Sequence, residues 1–110
     1  MEKDLGKTST GIPANVAALL SYLGGFVTGI VFLVIEKENK FVRFHAMQST
    51  ITSGALFVLQ IVLGYIPFLV MLSPLVGLLG LALWIILMVK AYQGETFKLP
   101  VIGGIAEKKI

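Results

Sequence analysis

The residues that could do chemistry are few and scattered. The chain has a single histidine, His45, and no cysteine, so thiolate nucleophiles, disulfides and cysteine metal sites are outside its repertoire. Its acids, Glu2, Asp4, Glu36, Glu38, Glu95 and Glu107, all lie outside two long uncharged stretches, Thr8 to Ile35 and Phe44 to Val89. No Ser/His/Asp set, glycine-rich phosphate loop or metal-ligand spacing is present. The sequence therefore predicts no catalytic residue, no cofactor and no metal site. It also argues against a proton-coupled pump, which needs a titratable group at depth in the bilayer.

What remains is hydrogen bonding and close packing. At 100° per residue from His45, the positions of Gln48, Ser49, Thr52, Ser53 and Gln60 fall within an arc of roughly 140°. Amides and hydroxyls in hydrocarbon need partners or water, so this stripe is expected to face the bundle interior or a hydrated cleft. Helix–helix hydrogen bonding and the lining of a pathway both use such a stripe. Ala17, Ser21, Gly25 and Gly29 recur at intervals of four. On one helix they form a groove of small residues, suited to internal packing or to a homo-oligomer face. Arg43 stands just before the second apolar stretch, where its planar fork can hold a phosphate or the carbonyl end of the preceding helix.

The elements that must position these residues follow from composition. Apolar residues make up 56% of the 110 and charged ones 14%, with a mean hydropathy of +0.91. A soluble domain this small needs far more polar surface. The reading is all-α, a single integral membrane domain over 1–110, solvated by lipid. A crossing takes about 20 residues for a core of roughly 30 Å. The first stretch then holds one helix and the second two, over 15–35, 44–66 and 74–92. Pro67 ends the second, and Ser73-Pro74 is read as N-cap and first helical residue of the third. The rival placement starts the third helix at Pro67 with a kink at Pro74. Tyr65 and Tyr92 stand at helix ends as headgroup anchors, with Trp84 deeper.

Three crossings put the 36–43 loop and the carboxyl tail on one side. That side carries Lys37, Lys40, Arg43, Lys90, Lys98, Lys108 and Lys109, against Lys3 and Lys7 on the other. The positive-inside rule then places the carboxyl end in the cytoplasm and the amino end outside. The net charge of +3 is read as membrane orientation, with no nucleic-acid partner. The first helix is read as uncleaved, since its apolar core is too long for a signal peptide, and no lipidation box is present. The tail over 93–110 is expected at the interface, with Val101, Ile102, Ile105, Ala106 and Ile110 on one face.

Two segments carry a resemblance. Phe41-Val42-Arg43-Phe44-His45-Ala46-Met47-Gln48 resembles the Phe-x-Arg-Phe-His-x-x-Gln signature of small prokaryotic membrane proteins. These are related to the twenty-kilodalton (Tic-twenty-like) subunit of the chloroplast inner-envelope import translocon. Lys90–Glu95 with Leu99-Pro100-Val101-Ile102-Gly103 resembles that family's carboxyl-terminal signature, and Tyr22-Leu23-Gly24-Gly25 extends the likeness. The resemblance implies a multi-pass helix-packing subunit, with weight on Phe41, Arg43, Phe44, His45 and Gln48 at the cytoplasmic mouth. The plant relative is regarded as an import-channel component and is usually drawn with four membrane helices. Expected partners are the bilayer and a second copy or a larger membrane protein. A holin-like lesion former or a small transporter subunit is the alternative; the acid expected in a small multidrug transporter's first helix is absent.

Overall fold

The computed structural model describes residues 6–99 and 101–109. Five α-helices follow in order: α1 (Ala14–Leu23), α2 (Phe26–Ile35), α3 (Lys40–Tyr65), α4 (Ser73–Tyr92) and α5 (Ile102–Lys109), with a 3-10 turn over Leu69–Leu72 before α4. Lys3 and Ile110, which entered the charge count and the tail face, lie outside the described residues, as does Pro100.

The expected single helix over 15–35 is two helices. Gly25 takes φ +62°, a conformation that glycine adopts freely and other residues do not. The chain reverses there, so α1 and α2 form a hairpin. Residues before α1 meet residues after α2: the Ser9 amide donates to Glu36 Oε2 at 2.7 Å, and Asn39 Nδ2 donates to the Lys7 carbonyl at 3.1 Å. Two collinear ten-residue helices would hold those groups about 30 Å apart. Small residues of α1 let the hairpin close on α3, with Ala14 and Ala17 packed against Phe32 of α2 and Val42 and Ala46.

Among the described residues, two segments are long and apolar enough to cross a membrane, Lys40–Tyr65 and Leu69–Tyr92. The hairpin is half that length. Ten residues rise about 15 Å, roughly half of a 30 Å hydrocarbon core. It is wedged between α3 and α4 near one end of the bundle. Two segments of spanning length and a short hairpin thus stand where three long helices were expected. Residues 7–9, the 36–39 loop and the end of α4 sit together at one end of the bundle, since Asn15 Nδ2 also donates to the Tyr92 carbonyl.

Helix limits differ for local reasons. α3 begins at Lys40, four residues before the apolar stretch, because Asn39 caps it, its side chain accepting from the Val42 amide at 3.0 Å. It ends at Tyr65, ahead of Pro67. Ser73 is already helical and caps nothing. Its hydroxyl donates to Gln60 Oε1, and Pro74 follows in the first turn.

Candidate functional site

The polar stripe of α3 meets the hairpin and the segment that follows α4. His45 is fully buried, boxed edge-on by Phe41, Phe44 and Tyr22, with ring centroids 4.6, 5.2 and 5.4 Å away. Its Nε2 lies 2.8 Å from the Glu95 carbonyl. That oxygen only accepts, which assigns the proton to Nε2 and makes Nδ1 the acceptor for the Tyr22 hydroxyl, also at 2.8 Å. Tyr22 in turn accepts from Gln48 Nε2 at 2.9 Å. Gln48 also donates to the Phe97 carbonyl at 2.8 Å and accepts from the Leu99 amide at 2.9 Å. Residues 95–99 thus lie as a strap across α3, held through their backbone by two side chains. Ion pairs flank it, Lys90 with Glu95 at 3.4 Å and Lys98 with Glu107. Beyond the strap α5 packs on α3, burying Gly103 and Ala106 and leaving Ile105 exposed.

Half-way into the bundle the stripe holds the hairpin tip. Ser49 Oγ lies 2.7 Å from the Ser21 carbonyl and 3.1 Å from that of Gly25. Trp84 Nε1 on α4 donates to the Tyr22 carbonyl at 2.6 Å. These donors add to the bonds that the Tyr22, Gly25 and Ser21 carbonyls receive from the Gly25 amide, the Gly29 amide and the Thr28 hydroxyl, so the turn is tied to both α3 and α4. Lower down, Gly29 lies against α3 so closely that a Cβ would meet Thr50 Oγ1 at 2.5 Å and the Ala46 carbonyl at 2.9 Å. The four small residues therefore do not form one helix face. Ala17 and Ser21 lie on α1, Gly25 is the turn, and Gly29 lies on α2; Ala17, Ser21 and Gly29 are buried within the chain.

At the base of the hairpin Arg43 donates to the Leu33 and Glu36 carbonyls at 2.9 and 2.6 Å, closing the carbonyl end of α2. Glu36 is fully buried, and its Oε2 accepts from the amides of Ser9, Glu38 and Asn39. Burial alone would raise its carboxyl. The hydrogen bonds from Ser9, Asn39 and Glu38 together outweigh that and hold it below the usual carboxylate value.

The remaining stripe residues stand apart from this network. Thr52 is buried, and its hydroxyl has no partner among the described residues. Ser53 lies against the Gly25 turn. Gln60 bonds the start of α4, donating to the Ser73 carbonyl at 3.2 Å. Between them, above the hairpin tip, α3 and α4 border an open cleft of about 440 Å³ lined by Phe26, Thr52, Gln60, Gly77 and Trp84 among others. Sequence reasoning did not single out Tyr22, Glu36 or Asn39 as site residues. Tyr22 sits mid-stretch, where a phenol in hydrocarbon demands a partner, and Glu36-x-x-Asn39 just ahead of an apolar run is a helix-start signal.

Two helices of spanning length, a short hairpin between them and a largely hydrogen-bonded polar interior are the features of a small helical membrane protein. The chain belongs to a family described as the magnetosome magnetite crystal formation protein family, which it matches over residues 7–106. It is 57% identical over 104 residues to a UPF0132 membrane protein of Methanocaldococcus jannaschii, covering 94% of each chain. A UPF0132 membrane protein of Archaeoglobus fulgidus is 56% identical over 97 residues, 87% of this chain and 94% of that one. No solved structure matches. These findings carry the small prokaryotic membrane-protein family that the Phe41–Gln48 motif implies, and lend no support to kinship with the import translocon.

Proposed function

We propose that this protein is a non-catalytic packing subunit of the cell membrane. In this reading it has both ends in the cytoplasm and assembles with a second copy or a larger membrane protein through its two spans. The observation that carries this reading is where the stripe spends its hydrogen bonds. His45, Gln48, Ser49 and Gln60 each bond another part of the same chain, whereas a pathway lining must keep its polar atoms available to a passing solute. The spans meanwhile turn large apolar side chains outward, Phe57, Leu78 and Leu79 among them.

Orientation follows from charge. Lys7, Lys37, Lys40, Arg43 and Lys90 lie toward the base of the hairpin, Lys98 and Lys108 lie in the segment after α4, and the 65–73 turn carries no charge. The positive-inside rule assigns the base to the cytoplasm. Within a family described by magnetite crystal formation, the contribution proposed for this chain is membrane packing and not mineral contact: among the described residues no three His, Asp or Glu side chains come together. Import-channel, lesion-forming and transporter roles draw no support from His45, Gln48, Ser49 and Gln60, whose hydrogen bonds are spent within the chain.

A photoreactive residue at Leu79, in native membranes, tests the reading. The expected product is one discrete adduct of fixed mass. A chain that yields no adduct, and in purified form lets small solutes leak from vesicles, overturns it.

A further inference from the structure

The width of the molecule changes in one step along its long axis. At the narrow end Gln60 of α3 bonds Ser73 at the start of α4, with the 65–73 turn beyond them. Toward the base, α1 stands between these two helices. Its Tyr22 carbonyl accepts from Trp84 and its Asn15 donates to the Tyr92 carbonyl, both on α4, while its Ser21 carbonyl accepts from Ser49 on α3. α2 lies against α3 as well, with Gly29 beside Thr50 and Ala46. The step falls where the chain turns. Gly25 lies beside Ser53, which stands about 14 Å along α3 from Phe44 and about 18 Å from Tyr65, at 1.5 Å per residue. That length matches a hydrocarbon core of roughly 30 Å, so the turn comes close to its middle. The outer face of the hairpin suits lipid and not water. Leu23, Val27, Ile30 and Val34 are exposed, and no charge occurs between Thr8 and Ile35.

Four helices therefore share the half of the core nearer the base, and two continue through the other half. A helix with its side chains is about 10–12 Å across, so the two extra helices displace roughly 160–220 Å² of lipid area from one leaflet only. The strap over residues 95–99 and α5, both held on α3, widen the same end further. We propose that this chain is a membrane wedge, which favours bilayers that are convex on the side of its base and so senses or imposes that curvature. The lipid surface itself is the partner, through its shape and not its headgroups. The open cleft above the tip has mostly apolar walls; acyl chains fill it and leave the narrow half narrow. This inference rests on the two crossings of the packing reading, and not on assembly with a second copy.

A wedge has a sign, and the sign makes the test. The full chain, with a fluorophore attached after Ile110, is reconstituted in both orientations into giant vesicles of uncharged phosphatidylcholine, and a thin tube is pulled from each vesicle. An impermeant quencher added outside silences the molecules whose base faces out, so the two orientations are counted separately on tube and vesicle. Molecules with the base outward should be several-fold denser on the tube than on the vesicle. Those with the base inward should be depleted there. Equal densities on tube and vesicle overturn the proposal. So does enrichment of both orientations alike, which owes nothing to a wedge, and so does enrichment of the base-inward molecules. A second fluorophore ahead of Glu2 checks the reading beneath. Two labels quenched together keep both ends on one face, and a failure to sort then falls on the wedge alone. Labels quenched separately overturn the two crossings and the wedge with them.

Discussion

Below the hairpin tip four helices enclose Tyr22, His45, Gln48 and Ser49, and nearly every buried polar atom there has a partner. Above the tip only α3 and α4 continue, joined by Gln60 and Ser73 and the turn between them, with Phe57, Leu78 and Leu79 facing outward. The lower part resembles the inside of a soluble domain; the upper part has scarcely an interior. Lipid accounts for the contrast. Apolar side chains gain little by leaving hydrocarbon for a protein core. Specific structure therefore forms where backbones approach over small residues and where polar groups find each other, and both are concentrated around the hairpin.

Topology offers the sharpest way to break this comparison. Reporters fused ahead of Glu2 and after Ile110 should read on the same side, an all-or-none outcome. Opposite sides would restore three crossings and remove the hairpin.

Packing comes next. Gly29→Ala forces a methyl into Thr50 and the Ala46 carbonyl, and should cost about 2–3 kcal/mol by overpacking, read as a lower unfolding midpoint in detergent. Gly64→Ala, in the upper part and with open space around it, should instead gain up to ~1 kcal/mol from helix propensity. Equal losses at both sites would erase the distinction between the halves.

Hydrogen bonds then separate the two glutamines. Gln48→Leu strands the Phe97 carbonyl and the Leu99 amide and should cost about 2–3 kcal/mol, with faster amide exchange over 95–99. Gln60→Leu leaves only the partly buried Ser73 unpaired, at about 1 kcal/mol.

The smallest effect is titratable. In the folded chain the Glu36 carboxyl is held below its ordinary value of 4.5, so the unfolded chain takes up the proton first. Its contribution is complete above the ordinary value and is lost as pH falls through the lower, folded one. Melting midpoints should drop below about pH 4.5 in the parent, and Glu36→Gln should flatten that drop. An unchanged pH profile in the variant would remove Glu36 from the fold's acid response.

Much of this was legible in the residues. Pro67 ends α3 where it was expected to, the inward stripe from His45 to Thr52 followed from period alone, and Arg43 stands at the carbonyl end of a helix. The Gly24-Gly25 pair was misread because hydropathy reports the length of an apolar stretch and not its path: the stretch from Val16 to Ile35 is long enough to cross once or to enter and return. The strap was invisible for another reason. His45 and Gln48 bind the backbone of residues 95–99, and backbone groups are the same in every sequence.

The sequence by itself determined that this chain lives in lipid, that its polar atoms line one face of α3, and that its charges gather away from the 65–73 turn. These are matters of composition and period, local along the chain. Only the tertiary structure decided that Ala14–Ile35 turns back at Gly25, because that choice depends on distant partners. Ser49 and Trp84 receive the carbonyls of the turn, Gly29 lets α2 lie against α3, and Ser9 closes on Glu36 at the base.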